Sequence, residues 1–338
     1  MLKLTGSQIG LGLTTACLIA STSLAQNGTQ VGESVDVDTL HVQVLLDRLG
    51  FAPGVIDGKG GQSLQAALRG FQKARGLPVT GKVDRPTLRI LHRYRALRPT
   101  RILIVSPEDV AGPFSGPLPK DPAAQAKLPT LGYTNGLEKL AEKFHTTPAM
   151  LVALNGPAAR LGPGARLRFP NVLPSSRAYD AKMPELWRRT LSDLNVSATQ
   201  PQGAHVVVDK SEGVLQVYDK ADRLIAQFPA TMGSQHDPLP IGKWTIKGAA
   251  YNPPFHYNPK LFWDVSDGKS KQLLPPGPNG PVGVIWLDLS KPHYGIHGTP
   301  HPETIGRAES HGCIRLSNWD AARLSLMVKP GTPAVFQQ

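Results

Sequence analysis

The chain has 338 residues, enough for two or three domains, and 40% of it is hydrophobic, enough for packed cores. Its 34 glycines and 32 prolines favour strands and turns over long helices. A formal charge of +12 attracts anionic polymers. No compact Lys/Arg block is interleaved with stacking aromatics, so nucleic acid is not an expected partner.

The first 25 residues read as an export signal. Lys3 precedes an apolar run from Ile9 to Ala20, and Ser23-Leu24-Ala25 supplies a small-x-small pattern before Gln26. The run is shorter than the roughly 20 residues a spanning helix needs, so no stable transmembrane anchor is expected. An uncleaved anchor is the competing reading. Lipidation at Cys17 is disfavoured, because Thr14-Thr15-Ala16 lacks the upstream apolar residue of a lipoprotein signal. Cleavage removes one lysine and no acid, so +12 becomes +11, and Cys313 is left as the only cysteine. An unpaired cysteine in an exported protein is a reactive thiol, an intermolecular bridge or an inert buried residue.

Residues 38–93 carry a helical pattern. Leu40, Val44, Leu45 and Leu49 recur at helix spacing, as do Leu64, Ala67, Leu68 and Phe71, and a third short helix begins near Asp84. A glycine-rich loop, Gly50–Gly61, separates the first two. Asp57 suggests a calcium loop, but the Asp/Asn ladder and terminal Glu are missing. The stretches Leu45–Phe51, Gly54–Gly58, Phe71–Leu77 and Gly81–Asp84 resemble the peptidoglycan-binding domain family, which implies wall attachment or a spacer role.

Prolines 107, 113, 117, 119, 122 and 129 mark 107–129 as a linker or irregular excursion. Residues 133–171 then predict two short helices and a closing turn and strand. The Ala149–Leu154 helix, Asn155 and the Gly164-x-x-Leu167-x-Phe169-Pro170 pattern resemble a degenerate lysin-motif module, which implies glycan binding. A connector without a ligand is the alternative.

From His205 the period changes to two. His205–Asp209, Val214–Tyr218, Leu224–Ala230, Trp244–Ala249, Val282–Leu289, Tyr294–His297 and Pro333–Phe336 read as strands, with a short helix capped by Ser317. The whole chain is therefore expected to be multidomain: a small all-α N-terminal module, a small α+β middle module, and a mainly β sandwich or open barrel over 204–337.

The densest polar cluster runs from Tyr294 to Pro302 and from Ser310 to Leu316. A thiol needs a base or a lowered pKa to act as a nucleophile, and His297 and His311 are both candidates to activate Cys313. Gly312 allows a substrate carbonyl to approach the backbone, where the Gly312 and Cys313 amides can hold an oxyanion. Zinc held by His297, His311 and Cys313 is one rival, and a buried thiol among core histidines is another. One continuous helix through His293, His297 and His301 is excluded by Pro292, Gly295, Gly298, Pro300 and Pro302.

Ile296-His297-Gly298-Thr299, Ser310–Leu316, Pro275–Gly283 and Gly331-Thr332-Pro333 resemble the catalytic domain of bacterial L,D-transpeptidases. The resemblance implies Cys313 as nucleophile, His297 as base and the Gly298 carbonyl as its orienting group. It also implies His311 as a shaper of the oxyanion region, and Ser310 and Arg315 as supports of the loop and pocket. Tyr251–Trp263 is expected to wall the cleft or to pack in the core, with no catalytic duty for His256. The implied reaction is acyl transfer on peptidoglycan tetrapeptide stems, with release of D-alanine and cross-linking of third-position residues. Water, a free D-amino acid or a lipoprotein lysine are alternative acceptors. The expected partners are thus stems, glycan and a possible lipoprotein, the location is the periplasm, and no cofactor or metal is needed. A non-catalytic wall-binding protein is the rival from another class.

Overall fold

The computed structural model describes residues 35–261, 269–307, 310 and 312–338. The export signal, Cys17, Phe262, Trp263 and His311 lie outside the described residues.

Three helices open the described chain: α1 (Val37–Arg48), α2 (Gln62–Ala74) and α3 (Arg85–Leu91). Asp36 caps α1 by accepting from the amides of residues 38 and 39, and Asp84 caps α3 through the Thr87 amide. Buried Gln72 replaces missing backbone partners in the loop between α2 and α3, bonding Thr80, Gly81, Lys82 and Thr87.

The middle module is built on a two-stranded antiparallel pair, β1 (Thr100–Ile104) with β2 (Arg166–Pro170). Between them lie α4 (Pro122–Gln125), α5 (Gly136–Lys143) and α6 (Pro148–Asn155). Strand β1 was not foreseen, and it places the proline-rich 107–129 stretch inside the module, between paired strands. Asn155, singled out in the sequence, bridges α6 to β2 through its amide and the Arg168 backbone. After β2 comes α7 (Glu185–Asp193), also unforeseen, which buries Trp187 and Leu191 in the C-terminal core.

The C-terminal strands are β3 (His205–Asp209), β4 (Val214–Tyr218), β5 (Leu224–Pro229), β6 (Thr231–Met232), β7 (Gly242–Tyr251), β8 (Phe255–Tyr257), β9 (Gln272–Leu274), β10 (Ile285–Leu289), β11 (Gly295–His297), β12 (Ile314–Arg315) and β13 (Pro333–Gln337). Nine of them form one sheet in the order β5-β4-β3-β13-β7-β10-β11-β12-β6. The first part of β7 pairs with β13 and its second part with β10, so this long strand joins two half-sheets. Side chains from both halves meet in one core with α8 (Asn318–Met327), including Val206, Phe228, Ile285, Ile296, Ile314 and Trp319.

The modules share cores. Leu224 and Tyr218 of the sheet pack among the helices of the N-terminal module. Its glycine loop also pairs with the outer edge of β5: the Ala52 amide donates to the Gln227 carbonyl, and the Gln227 amide donates to the Gly50 carbonyl. Gln227 in turn donates from its side chain to the Ala66 carbonyl at 2.7 Å. A β-edge that would otherwise be open to pairing is thereby covered. A buried ion cluster joins all three modules, with Asp47 of α1 held by His145 and by Arg323 of α8, each at 3.2 Å.

Candidate active site

Strands β11 and β12 run parallel, with Ile296 opposite Ile314 and His297 opposite Arg315. Both isoleucines are fully buried in the core. Alternation along each strand therefore puts His297 and Arg315 on the other face, and Cys313 precedes Ile314 on that same face beside Gly295. A parallel pair needs a crossover, and residues 298–313 supply it. The loop between the two sequence motifs is thus a topological necessity, and it returns the chain so that Cys313 stands two residues before Arg315, the register partner of His297.

His297 is buried, and its Nδ1 lies 2.7 Å from the Gly298 carbonyl oxygen. A carbonyl only accepts, so Nδ1 carries the proton and Nε2 is left as the acceptor. The ring stacks on Trp286, its direct cross-strand partner, at 5.4 Å between centroids. Gly295 makes room for that indole, because a Cβ there would lie 2.4 Å from it. Burial, aided by the Arg315 charge and only partly opposed by the Gly298 bond, lowers the His297 pKa to about 4. The imidazole is neutral at ordinary pH.

The Cys313 sulfur sits 3.8 Å from the His293 carbonyl oxygen, and the thiol is partly accessible. Burial pushes its pKa up, while the Gly295 amide and the Arg315 charge pull it down and Asp237 pushes it up. Ser310 fixes the preceding turn by donating to the Cys313 carbonyl at 2.7 Å and accepting from the Gly233 amide at 2.6 Å. Gly312 has φ +90°, and a Cβ on it would lie 2.7 Å from the Tyr294 ring. Glycine is needed there for the local packing, a reason beyond the approach of a substrate.

The sequence-derived residues Cys313, His297, Gly298, Ser310, Gly312 and Arg315 all lie in this one region of the fold. His301 instead turns away to pair with Glu303 on the half-exposed loop. Tyr251 stacks on Trp187, and Tyr257 packs with Leu131 and Leu274. Among the described residues no group of three or more His, Cys, Asp or Glu is arranged to hold a metal. Sequence reasoning missed Trp286 and Asn318. The first had a signal, since it stands in the strand before the His297 motif; the second sits two residues after the Cys313 motif. A cleft of about 740 Å³ runs from Asp57 and Lys59 on the glycine loop to Pro302 and Arg307, and neither Cys313 nor His297 lines it.

Residues 203–336 match the L,D-transpeptidase catalytic domain family, and residues 36–91 match the family described as "Putative peptidoglycan binding domain". The C-terminal part of the chain is an L,D-transpeptidase catalytic domain, preceded by a peptidoglycan-binding domain. The chain is 34% identical over 127 residues to "Putative L,D-transpeptidase YkuD" of Bacillus licheniformis, covering 38% of this chain and 61% of that one. It is 26% identical over 174 residues to "Probable L,D-transpeptidase YbiS" of Escherichia coli K12, covering 49% and 55%. The chain thus spans less than two thirds of either relative. Among solved structures, L,D-transpeptidase 3 of Mycobacterium tuberculosis aligns at 20% identity and TM-score 0.34, over 40% of this chain and 61% of that one. The L,D-transpeptidase of Xylanimonas cellulosilytica aligns at 15% identity and TM-score 0.37, over 90% and 95%. Among the described residues no helix is long and apolar enough to cross a membrane.

Proposed function

We propose that the protein is an exported peptidoglycan L,D-transpeptidase that works through a Cys313 thioester. The observation that carries this reading is the Cys313–His297 face of the β11–β12 pair, with the imidazole held by the Gly298 carbonyl at 2.7 Å. The thiol attacks the amide carbonyl between the third stem residue and the terminal D-alanine, and its proton passes to Nε2 of His297. The tetrahedral intermediate collapses, His297 returns the proton to the departing D-alanine amine, and a thioester remains. An acceptor amine from a second stem then attacks the thioester. It loses a proton to Nε2, and the thiol re-forms as the new amide is released.

The neutral state of both groups at rest supports general-base activation at the moment of attack, in place of a standing thiolate–imidazolium pair. Hydrolysis of the same thioester would make the enzyme an L,D-carboxypeptidase, and a lipoprotein lysine would make it an anchoring enzyme.

Intact-mass spectrometry with a tetrapeptide donor tests the proposal. Wild type is expected to release D-alanine and gain one acyl adduct mapped to Cys313, and Cys313→Ala to do neither. Equal D-alanine release by both proteins sinks the thioester. Products formed with and without an added amine separate transfer from hydrolysis.

A further inference from the structure

The side chain of Asn318, at the start of α8, is fully buried and wedged between two glycines of the active-site backbone. A Cβ on Gly283 would lie 1.8 Å from its amide oxygen, and one on Gly298 would lie 2.0 Å from it. That oxygen accepts from the Val284 amide at 3.2 Å. The amide nitrogen donates to the Pro278 carbonyl at 3.0 Å and to Oε1 of Glu142 at 2.7 Å. These partners fix which end of the amide is oxygen. Gly298 is the residue whose own carbonyl holds the His297 ring.

Glu142 comes from α5 of the middle module and is buried with Tyr133 facing its carboxylate. The same module grips the Pro275–Gly283 segment at further points. The Leu131 amide donates to the Pro276 carbonyl at 3.0 Å, and Asn279 donates to Glu138 at 2.8 Å. A buried carboxylate is a poor choice for simply stapling two modules, since an apolar side chain of similar size usually stabilises such an interface as well or better. Its geometry suits a different task. It orients the one amide that lies against the backbone behind the base.

We propose that Glu142 is a positioning residue for His297, acting through Asn318 on the Gly298 backbone, so that the middle module completes the active site. The kinetic part of this proposal rests on His297 being the base. The structural part does not.

Nitrogen-15 NMR of the histidine rings reads the Nδ1–H to Gly298 bond directly, and kcat and KM for D-alanine release read its use. Wild type is expected to show His297 as a single Nδ1–H tautomer. Glu142→Leu should let the two tautomers mix and lower kcat about tenfold with KM within about twofold, the scale expected for a slightly misplaced catalytic group. Glu142→Gln, which keeps an oxygen for Asn318, should restore the tautomer and most of the rate. Gln227→Met, which breaks a buried inter-module bond outside the Glu142–Asn318–Gly298 chain of contacts, should change neither. Should Glu142→Leu fail to fold, Tyr133→Phe should shift both readouts in the same direction by a smaller amount. An unchanged His297 tautomer in the folded Glu142→Leu protein overturns the proposal, as does an equal change in Gln227→Met. A tautomer shift in Glu142→Leu, in a protein whose wild type releases no D-alanine, supports the positioning role and rejects the transpeptidase reading instead.

Discussion

Burial lifts the Cys313 thiol above its ordinary range, and the Gly295 amide and Arg315 charge offset that only in part. Burial likewise lowers His297 to about 4, so a thiolate–imidazolium pair would need two buried charges to form against their surroundings. The alkylation rate of Cys313 by iodoacetamide, followed by mass spectrometry, is therefore expected to keep rising beyond pH 9. A plateau reached by pH 6 would show a standing ion pair and defeat this account. The proposed pair could be singled out from the sequence, because Cys313 and His297 each stand in a distinctive local motif. The roles of Trp286 and Glu142 could not. Trp286 reaches His297 across a strand pair, and Glu142 reaches Asn318 from another module, so neither contact leaves a mark at short spacing.

Among the secondary-structure elements, the strands from β3 to β5 were readable because alternating side chains and tight turns are local signals. The Ser317 cap of α8 was readable for the same reason: its side chain accepts from the Asp320 amide within one turn. Strand β1 and helix α7 escaped notice for opposite reasons. Strand β1 finds its partner only at residues 166–170, after three helices, and three of its five residues are exposed. Helix α7 has a charged sequence and buries only Trp187 and Leu191, which looks weak until the sheet that receives them is known. The cover on the β5 edge yields a prediction. Because residues 50–52 bond to β5 and Leu224 packs among the N-terminal helices, the modules should unfold together. Calorimetry of the full chain is expected to give one transition, and Gln227→Met should lower its stability by about 1–3 kcal/mol by leaving buried polar groups unpaired. Two resolved transitions, with only one moved by the substitution, would show that the N-terminal module folds independently.

Across the whole molecule, the interface between the middle module and the catalytic sheet holds a carboxylate at an energetic cost that depends on pH. Burial raises Glu142 from 4.5 to about 7, with Glu138 adding to the rise and the bonds from Tyr133 and Asn318 and the His145 charge opposing it. The folded state then holds this proton over a range where the unfolded chain has lost it. Stability from this group is full below pH 4.5 and is lost as pH rises to about 7. The loss corresponds to roughly 3–4 kcal/mol, from about 1.4 kcal/mol per pKa unit. Glutamine cannot ionise and keeps the oxygen that Asn318 needs. Glu142→Gln should therefore gain on wild type by that amount between pH 4.5 and pH 8, as measured by denaturant unfolding at both values. His297 is lowered and titrates in the opposite sense, so its contribution falls with falling pH between 6.5 and about 4 in both proteins and cancels in the comparison. A difference between wild type and Glu142→Gln that is the same at both pH values would mean that the Glu142 carboxylate ionises in the folded protein as it does in the unfolded chain. The module contact would then carry no titrating burden.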